Sequence, residues 1–283
     1  MPPVEGVFFD NTIYIYGGSA NAEREFVIGG NLVADVDATL MADFVTVTLV
    51  PTTDLLGGTL AIGGSLPVGV TQVGVSARVT GPGGGNVTVS RHDSAVLIGD
   101  PVVAGALGWQ ADKFHVQASA TVNVPIGQYR EGELANVAFH RWIVDASLAG
   151  TWNDPEVGWD LSAKAGLTFN GENPATDYRT GTEFHLEGSV EKAFSPAISA
   201  GLQGYYFRQV TGDSGAGATL GPFKGEVVGI GATTALNVTV GRMPATLRVR
   251  AFKEFNATNR LSGEAFFLSF TMPLQMNLPS ETP

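Results

Sequence analysis

The sequence predicts an all-β chain: a 12-stranded antiparallel transmembrane β-barrel with short periplasmic turns and longer extracellular loops. Three observations predict it. Apolar and polar residues alternate with a period of two along most of the chain, and helical spacing is nearly absent. Charged residues are only 15% of the 283 although hydrophobic residues are an ordinary 44%, against roughly 25% charged in a soluble domain; the polar face is mostly Ser, Thr, Gly, Asn and Gln. Short turns and long loops alternate, which with an even strand number returns both termini to the short-turn side.

Twelve strands are expected at about 7–18, 37–50, 58–79, 96–110, 113–126, 138–152, 157–170, 181–194, 197–210, 224–240, 245–256 and 262–274. The alternation is plain in several. In the fifth, Phe114, Val116, Ala118, Ala120, Val122 and Val124 oppose His115, Gln117, Ser119, Thr121 and Asn123. In the seventh, Trp159, Leu161, Ala163, Ala165, Leu167 and Phe169 oppose Asp160, Ser162, Lys164, Gly166, Thr168 and Asn170. In the eighth, Phe184, Leu186, Gly188 and Val190 oppose Glu183, His185, Glu187, Ser189 and Glu191. In the eleventh, Leu247, Val249 and Ala251 oppose Arg248 and Arg250, and in the last, Phe266, Leu268, Phe270 and Met272 oppose Phe267, Ser269 and Thr271. Short turns are expected at Pro51–Gly57, Ala111–Asp112, Asn153–Glu156, Ser195–Pro196 and Gly241–Pro244, and long loops at Ser19–Val36, Thr80–Ala95, Gly127–Val137, Gly171–Thr180 and Thr211–Phe223.

The second strand breaks the pattern. Leu40, Ala42 and Phe44 lie on one face and Val45, Val47 and Leu49 on the other. A bulge near Phe44 is expected, since the alternative leaves Asp43 facing lipid. The third strand contains Pro67, which cannot donate to a ladder; Pro67, with Gly229 and Gly231, is a candidate for a lateral opening in the wall. The aromatics are sorted by strand end. Trp109, Trp152 and Trp159 fall at short-turn ends and Trp142, Phe169, Tyr206 and Phe266 near long-loop ends, all on the apolar side. Two aromatic bands flanking aliphatic rows form the lipid-interface girdle of a membrane barrel, and a soluble β-sandwich has no reason to sort them so.

Other classes recede. The net charge of −11 and pI near 4.7 argue against a nucleic-acid partner. With no Cys there is no disulfide framework and no thiolate metal site. The longest charge-free run, 55–77, holds six glycines and Pro67 and is a poor membrane helix. If the protein is exported, the start Met1-Pro2-Pro3-Val4 is expected to be that of the mature form behind an added Met. The expected organisation is one barrel domain over 1–283, with the barrel at about 7–274 and a C-terminal tail at 275–283.

The stretch Thr168-Phe-Asn-Gly-Glu-Asn-Pro-Ala-Thr-Asp-Tyr-Arg-Thr-Gly-Thr-Glu-Phe-His185 resembles the signature of the outer-membrane "MetA-pathway of phenol degradation" family. Gly99-Asp100-Pro101, Leu134-Ala-Asn136, the Gln209–Gly215 region with Asp213-Ser214-Gly215, and Phe255–Arg260 also match. The resemblance covers roughly 95–275, and the N-terminal third departs from it at Pro82–Asn86. It implies a monomeric barrel channel in the outer membrane of Gram-negative bacteria, passing aromatic or other hydrophobic small molecules.

The function expected is passive uptake of small molecules through a narrow lumen, in contact with outer-membrane lipid or detergent and without a cofactor. The lumen-lining or constriction candidates are Arg78, Asp145, Asp160, Lys164, Glu183, His185, Glu187, Glu191, Arg248 and Arg250, with His115 on the same face of its strand. Lys164 lies one strand from Glu183, Glu187 and Glu191. The cluster is either a charged constriction or a salt-bridge prop. His185 between Glu183 and Glu187 could also bind a metal, though no metal site is assigned. Two alternatives stay open. One is a plugged structural or adhesion barrel whose loops bind partners. The other is a barrel enzyme acting on lipids, which would need a nucleophile beside one of His92, His115, His140 or His185. Gly81-Pro-Gly-Gly-Gly85 lacks the Lys and helix of a phosphate loop.

Overall fold

The computed structural model describes residues 4–80 and 86–276. They form β1 (Gly6–Ile28), β2 (Asn31–Leu55), β3 (Gly58–Thr80), β4 (Asn86–Ile98), β5 (Val102–Ala111), β6 (Phe114–Asn123), β7 (Ile143–Asp154), β8 (Trp159–Asn170), β9 (Glu172–Asn173), β10 (Tyr178–Arg179), β11 (Glu183–Ala193), β12 (Ile198–Gln209), β13 (Glu226–Val240), β14 (Met243–Thr258) and β15 (Ser262–Met276). Successive wall strands pair antiparallel, and β15 closes on β1 from Ser19↔Ser262 to Gly6↔Met276. Both β4 and β5 pair with β3, so they are two halves of one wall strand interrupted at Gly99–Pro101. The pair β9–β10 is a small hairpin within a loop. The wall is therefore a closed barrel of twelve antiparallel strands, as the alternation predicts.

Period-two alternation sets the two faces. Outward rows such as Ile62, Leu66, Val68 and Val70 on β3 are exposed, as are Leu161 and Leu167 on β8 and Ile198 and Leu202 on β12. Such rows are tolerable where lipid covers them. Trp109, Trp159, Trp142, Phe169 and Phe266 are also exposed on this face, and Trp152 and Tyr206 lie on the outward parity of β7 and β12.

Two expected loops are largely strand. Residues 19–28 and 31–36, and Thr80 with 86–95, continue the β1–β2 and β3–β4 hairpins past the apolar band. Polar residues there read as loop, but pairing continues because the ladder needs only backbone. The β1–β2 hairpin turns on Gly29 and Gly30 at φ 58° and 81°, the left-handed pair a two-residue turn requires. Gly29 also lies so close to the Glu133 carbonyl that a side chain would collide with it.

The expected bulge at Phe44 is absent. Pairing runs unbroken from Leu40 to Leu49 against both β1 and β3. Asp43 therefore shares the outward row of Met41 and Val45, and the Asn11 amide donates a hydrogen bond to it at 2.5 Å. Its place near the long-loop end of that row, where a carboxylate costs less than at mid-bilayer, and its amide partner make the position tolerable. The lateral opening is absent too. Pro67 pairs with Phe44 on one side, and on the other its carbonyl accepts the Gly99 N–H at 2.8 Å. Gly229 and Gly231 lie within continuous ladders to β12 and β14. Gly81–Gly85 and the tail beyond Met276 lie outside the described residues.

Inside the barrel, the β6–β7 connection, residues 124–142, folds inward. Leu134 and Ala135 join Ala20, Phe26, Val36 and Val73 in a buried cluster, with Val36 and Ala135 fully sealed at 0% exposure. Val137 lies beside Ala42, Gly69 and Pro67. Leu40, Ala42 and Phe44 are apolar because their strand has two apolar surroundings, lipid outside and this loop inside.

Candidate functional site

The site is the lumen left open beside the inward loop. Asp100 anchors that loop. The strand break at Gly99–Pro101 turns its side chain inward to 2% exposure. Its oxygens accept the N–H groups of Gly127 (3.0 Å), Phe139 (2.9 Å) and His140 (2.9 Å) and the Asn123 amide (3.0 Å). Asp93 holds the other flank, accepting the Ala135 N–H at 2.9 Å and Arg130 at 3.0 Å. Burial works to raise the Asp93 carboxyl, but the Ala135 N–H and the Arg130 guanidinium outweigh it and hold its pKa below the ordinary value. Arg91 pairs with Glu133 at 2.6 Å. Within the loop, Asn136 receives the Arg130 N–H at 2.6 Å and donates back to the Arg130 carbonyl at 3.0 Å.

The family-like segments meet here. Gly99-Asp100-Pro101 is the anchor and Leu134-Ala-Asn136 the buried tip of the loop. The Tyr178 hydroxyl donates to Asp213, and Arg179 and Ser214 exchange backbone hydrogen bonds at 2.9 Å, so the 168–185 and 209–215 stretches brace one another. Burial and the Asp213 carboxylate push the Tyr178 phenol well above its usual range. Their resemblance gives these residues a family but no role; the roles come from contacts between segments far apart in the chain.

A cavity of about 640 Å³ lies in the remaining lumen. Its first wall, on β7, β8 and β11, is charged. His185 Nε2 is 2.8 Å from Asp145 Oδ2, and Asp145 also accepts Ser147 (2.5 Å) and Thr168 (2.7 Å). His185 Nδ1 lies 3.4 Å from Glu187, and Lys164 lies 3.7 Å from the same carboxylate. Of the three glutamates expected beside Lys164, only Glu187 pairs with it. Glu183 accepts the Asn170 amide at 3.1 Å, and Glu191 pairs with Arg248 at 2.6 Å. Asp160 binds Ser162 (2.8 Å) and Asn153 (3.1 Å) toward the turn end, where His115 lines a separate recess. The Arg78 side chain lies outside the described residues. Among the described residues no cluster of His and carboxylates is arranged to hold a metal.

The second wall, from β12 to β15 with Tyr14 and Tyr16 of β1, is aromatic. Alternation places its residues on the lumenal side, and most of them carry no charge that would mark them as a site. Glu254, 8% exposed, is its hub. It accepts the hydroxyls of Tyr16 (2.8 Å) and Tyr205 (2.7 Å) and the Gly263 N–H (3.0 Å). Tyr205 lies over Gly229, which has no side chain to displace it. Tyr14 stacks on Phe267 at 4.6 Å, and Phe252 meets Tyr205 and Phe267 edge-on at 5.2 and 6.0 Å. Arg250 sits over Phe267 at 4.7 Å and Arg260 over Phe207 at 3.9 Å. A second cavity of about 460 Å³ opens among the loops between Tyr129, Arg141, Tyr178 and Phe223, and Arg260 borders both.

A closed twelve-strand barrel with an apolar outside and a polar and aromatic inside is a bacterial outer-membrane barrel. The family model described as "Putative MetA-pathway of phenol degradation" matches residues 23–270, and the chain belongs to that family. Among solved structures, the COG4313 outer membrane channel from Pseudomonas putida F1 is similar over 96% of each chain, with a TM-score of 0.73 at 16% identity. The beta domain of the Bordetella autotransporter BrkA is similar over 95% of this chain and 100% of that one, with a TM-score of 0.50 at 12% identity. Both likenesses concern the fold. No curated protein matches the sequence.

Proposed function

We propose that the protein is a passive outer-membrane channel admitting small, largely apolar aromatic molecules, with the outward Trp, Tyr and Phe residues seating a monomeric barrel in the bilayer. The supporting observation is the roughly 640 Å³ lumenal cavity walled on one side by Tyr14, Tyr205, Phe207, Phe252 and Phe267. Its size and mixed lining suit a small-molecule site. A molecule arriving among the loops reaches the second cavity, passes Arg260 and enters the first. The family's description and the channel fold of its Pseudomonas putida likeness agree with this reading.

The test is growth of a porin-deficient Gram-negative host on an aromatic carbon source, with and without the chain. Ser189→Trp places an indole in the cavity from an inward position on β11 and should abolish the gain while the barrel keeps its heat-modifiable migration on gels. Growth unchanged by the chain overturns the reading. The inward loop favours a second reading, a sealed barrel whose loops bind partners. That reading expects no uptake from the unmodified chain and no ion current across a planar bilayer.

A further inference from the structure

We propose that Arg250 and Arg260 form a subsite for the carboxylate of an aromatic acid, so that the channel takes anionic single-ring molecules in preference to neutral ones. The inference deepens the aromatic-uptake reading and rests on it.

The carboxylates around the cavity already have partners. Glu187 faces Lys164 and His185, Glu191 holds Arg248 at 2.6 Å, and Glu254 is taken by two phenols and a backbone N–H. Arg250 and Arg260 are left over. Among the described residues neither makes an ion pair or a hydrogen bond, and the Arg250 Nε is buried without a partner. Each guanidinium instead lies over one ring, Phe267 at 4.7 Å and Phe207 at 3.9 Å. Each contact holds the guanidinium against a ring face and engages none of its terminal N–H donors in an ion pair or hydrogen bond among the described residues. A planar fork of donors matches a carboxylate in bidentate fashion, and a lysine would not.

The rings do the rest. Phe252, Tyr205 and Tyr14 line the same cavity, so a ligand whose carboxylate meets Arg250 can lay its ring among them. Arg260 borders the loop cavity as well, which gives an incoming anion a first cationic contact before the deeper one. In a chain of net charge −11, two cations without carboxylate partners facing one cavity are a local exception, and their chemistry selects an anion that carries an aromatic ring.

The test uses the intact barrel in detergent micelles, labelled with 15N-arginine and titrated with benzoate, phenol and acetate. Benzoate should shift two arginine Nε–H resonances saturably, and these should be the ones missing from Arg250→Gln and Arg260→Gln. By calorimetry, the double variant should bind benzoate at least tenfold more weakly and phenol within twofold of the parent. Arg250→Lys, which keeps the charge and loses the fork, should fall between. Acetate binding as tight as benzoate would overturn the proposal, because the ring would not be read. Phenol binding without any benzoate effect on the two arginines would overturn it while leaving aromatic uptake standing. If neither ring compound binds, both readings fall. Gel migration checks that each variant is folded, and the titration of the parent protein decides the matter even where a variant is not.

Discussion

The lumen beside β1–β4 is filled, and the lumen beside β8 and β11–β15 is hollow. In the filled half, inward residues are small or aliphatic, Ala20, Val36, Ala42 and Val73, and the inward loop covers them. Its carboxylates, Asp93 and Asp100, hold backbone N–H groups of that loop. In the hollow half, inward residues are aromatic or charged, and the central carboxylate, Glu254, holds phenols of the wall itself. The same chemistry, a buried carboxylate satisfied by several donors, therefore serves two ends. In one half it imports a plug, and in the other it stiffens a wall and keeps the space open.

The largest effect should come from removing the plug's anchor. Asp100→Ala leaves four N–H donors without their acceptor, and at about 1–3 kcal/mol for each unsatisfied group, partly relieved by water, a loss of about 3 kcal/mol is expected. The loop should leave the lumen, and single-channel conductance should rise several-fold. An unchanged conductance with the barrel folded would mean that the filled half does not limit flow. In the hollow half, Glu254→Ala removes the partner of Tyr16, Tyr205 and the Gly263 N–H. About 2 kcal/mol of stability should be lost, read by denaturant titration with the gel-shift assay, and Glu254→Gln should recover about half. Because no loop hangs on Glu254, conductance should change far less than in Asp100→Ala; a comparable rise would erase the distinction between the halves.

This contrast also explains what the sequence showed and hid. Alternation along β6, β8, β11 and β15 exposes the barrel, since each of these strands has lipid on one side and a polar lumen on the other. β2 misleads because Leu40, Ala42 and Phe44 are apolar against the loop while Val45, Val47 and Leu49 are apolar against lipid. Two apolar faces on one strand suggest a bulge when the lumen is imagined as water, and signal a filled lumen when it is not. Strand order alone brings Lys164 beside the strand of Glu183, Glu187 and Glu191, and the register Glu187↔Lys164 then selects its partner. Glu254 could not be placed among tyrosines that way, because Tyr16 lies 238 positions away and the barrel closure between β15 and β1 brings the two together. Asp100 sits in a three-residue break whose direction alternation cannot supply.

Acid should act on the filled half through Asp93. Its carboxyl is held below the ordinary value of 3.8, so its contribution to holding the loop is complete above that value. The contribution is lost as the pH falls through the lowered pKa, where protonation removes the charge facing Arg130. Conductance should accordingly rise reversibly on the acid side of 3.8, and Asp93→Asn should show the acid level already at neutral pH. An acid response that persists in Asp93→Asn would assign the effect elsewhere.

The smallest stability effect should come from Lys164 in the hollow half, and here the two roles open to it separate. Lys164 and Glu187 are 3.7 Å apart with side chains 40% and 51% exposed. A pair so open to solvent contributes about 0–1 kcal/mol, so Lys164→Ala should leave unfolding by denaturant nearly unchanged. The charge nonetheless faces the cavity, where a cation beside a narrow path biases which ions pass. The variant should therefore shift the reversal potential under a salt gradient toward cation preference while stability stays put. A loss of stability with no shift in selectivity would make Lys164 a prop. That would leave Arg250 and Arg260, two cavity-lining cations without an ion pair among the described residues, as the charges through which the hollow half would read its solutes.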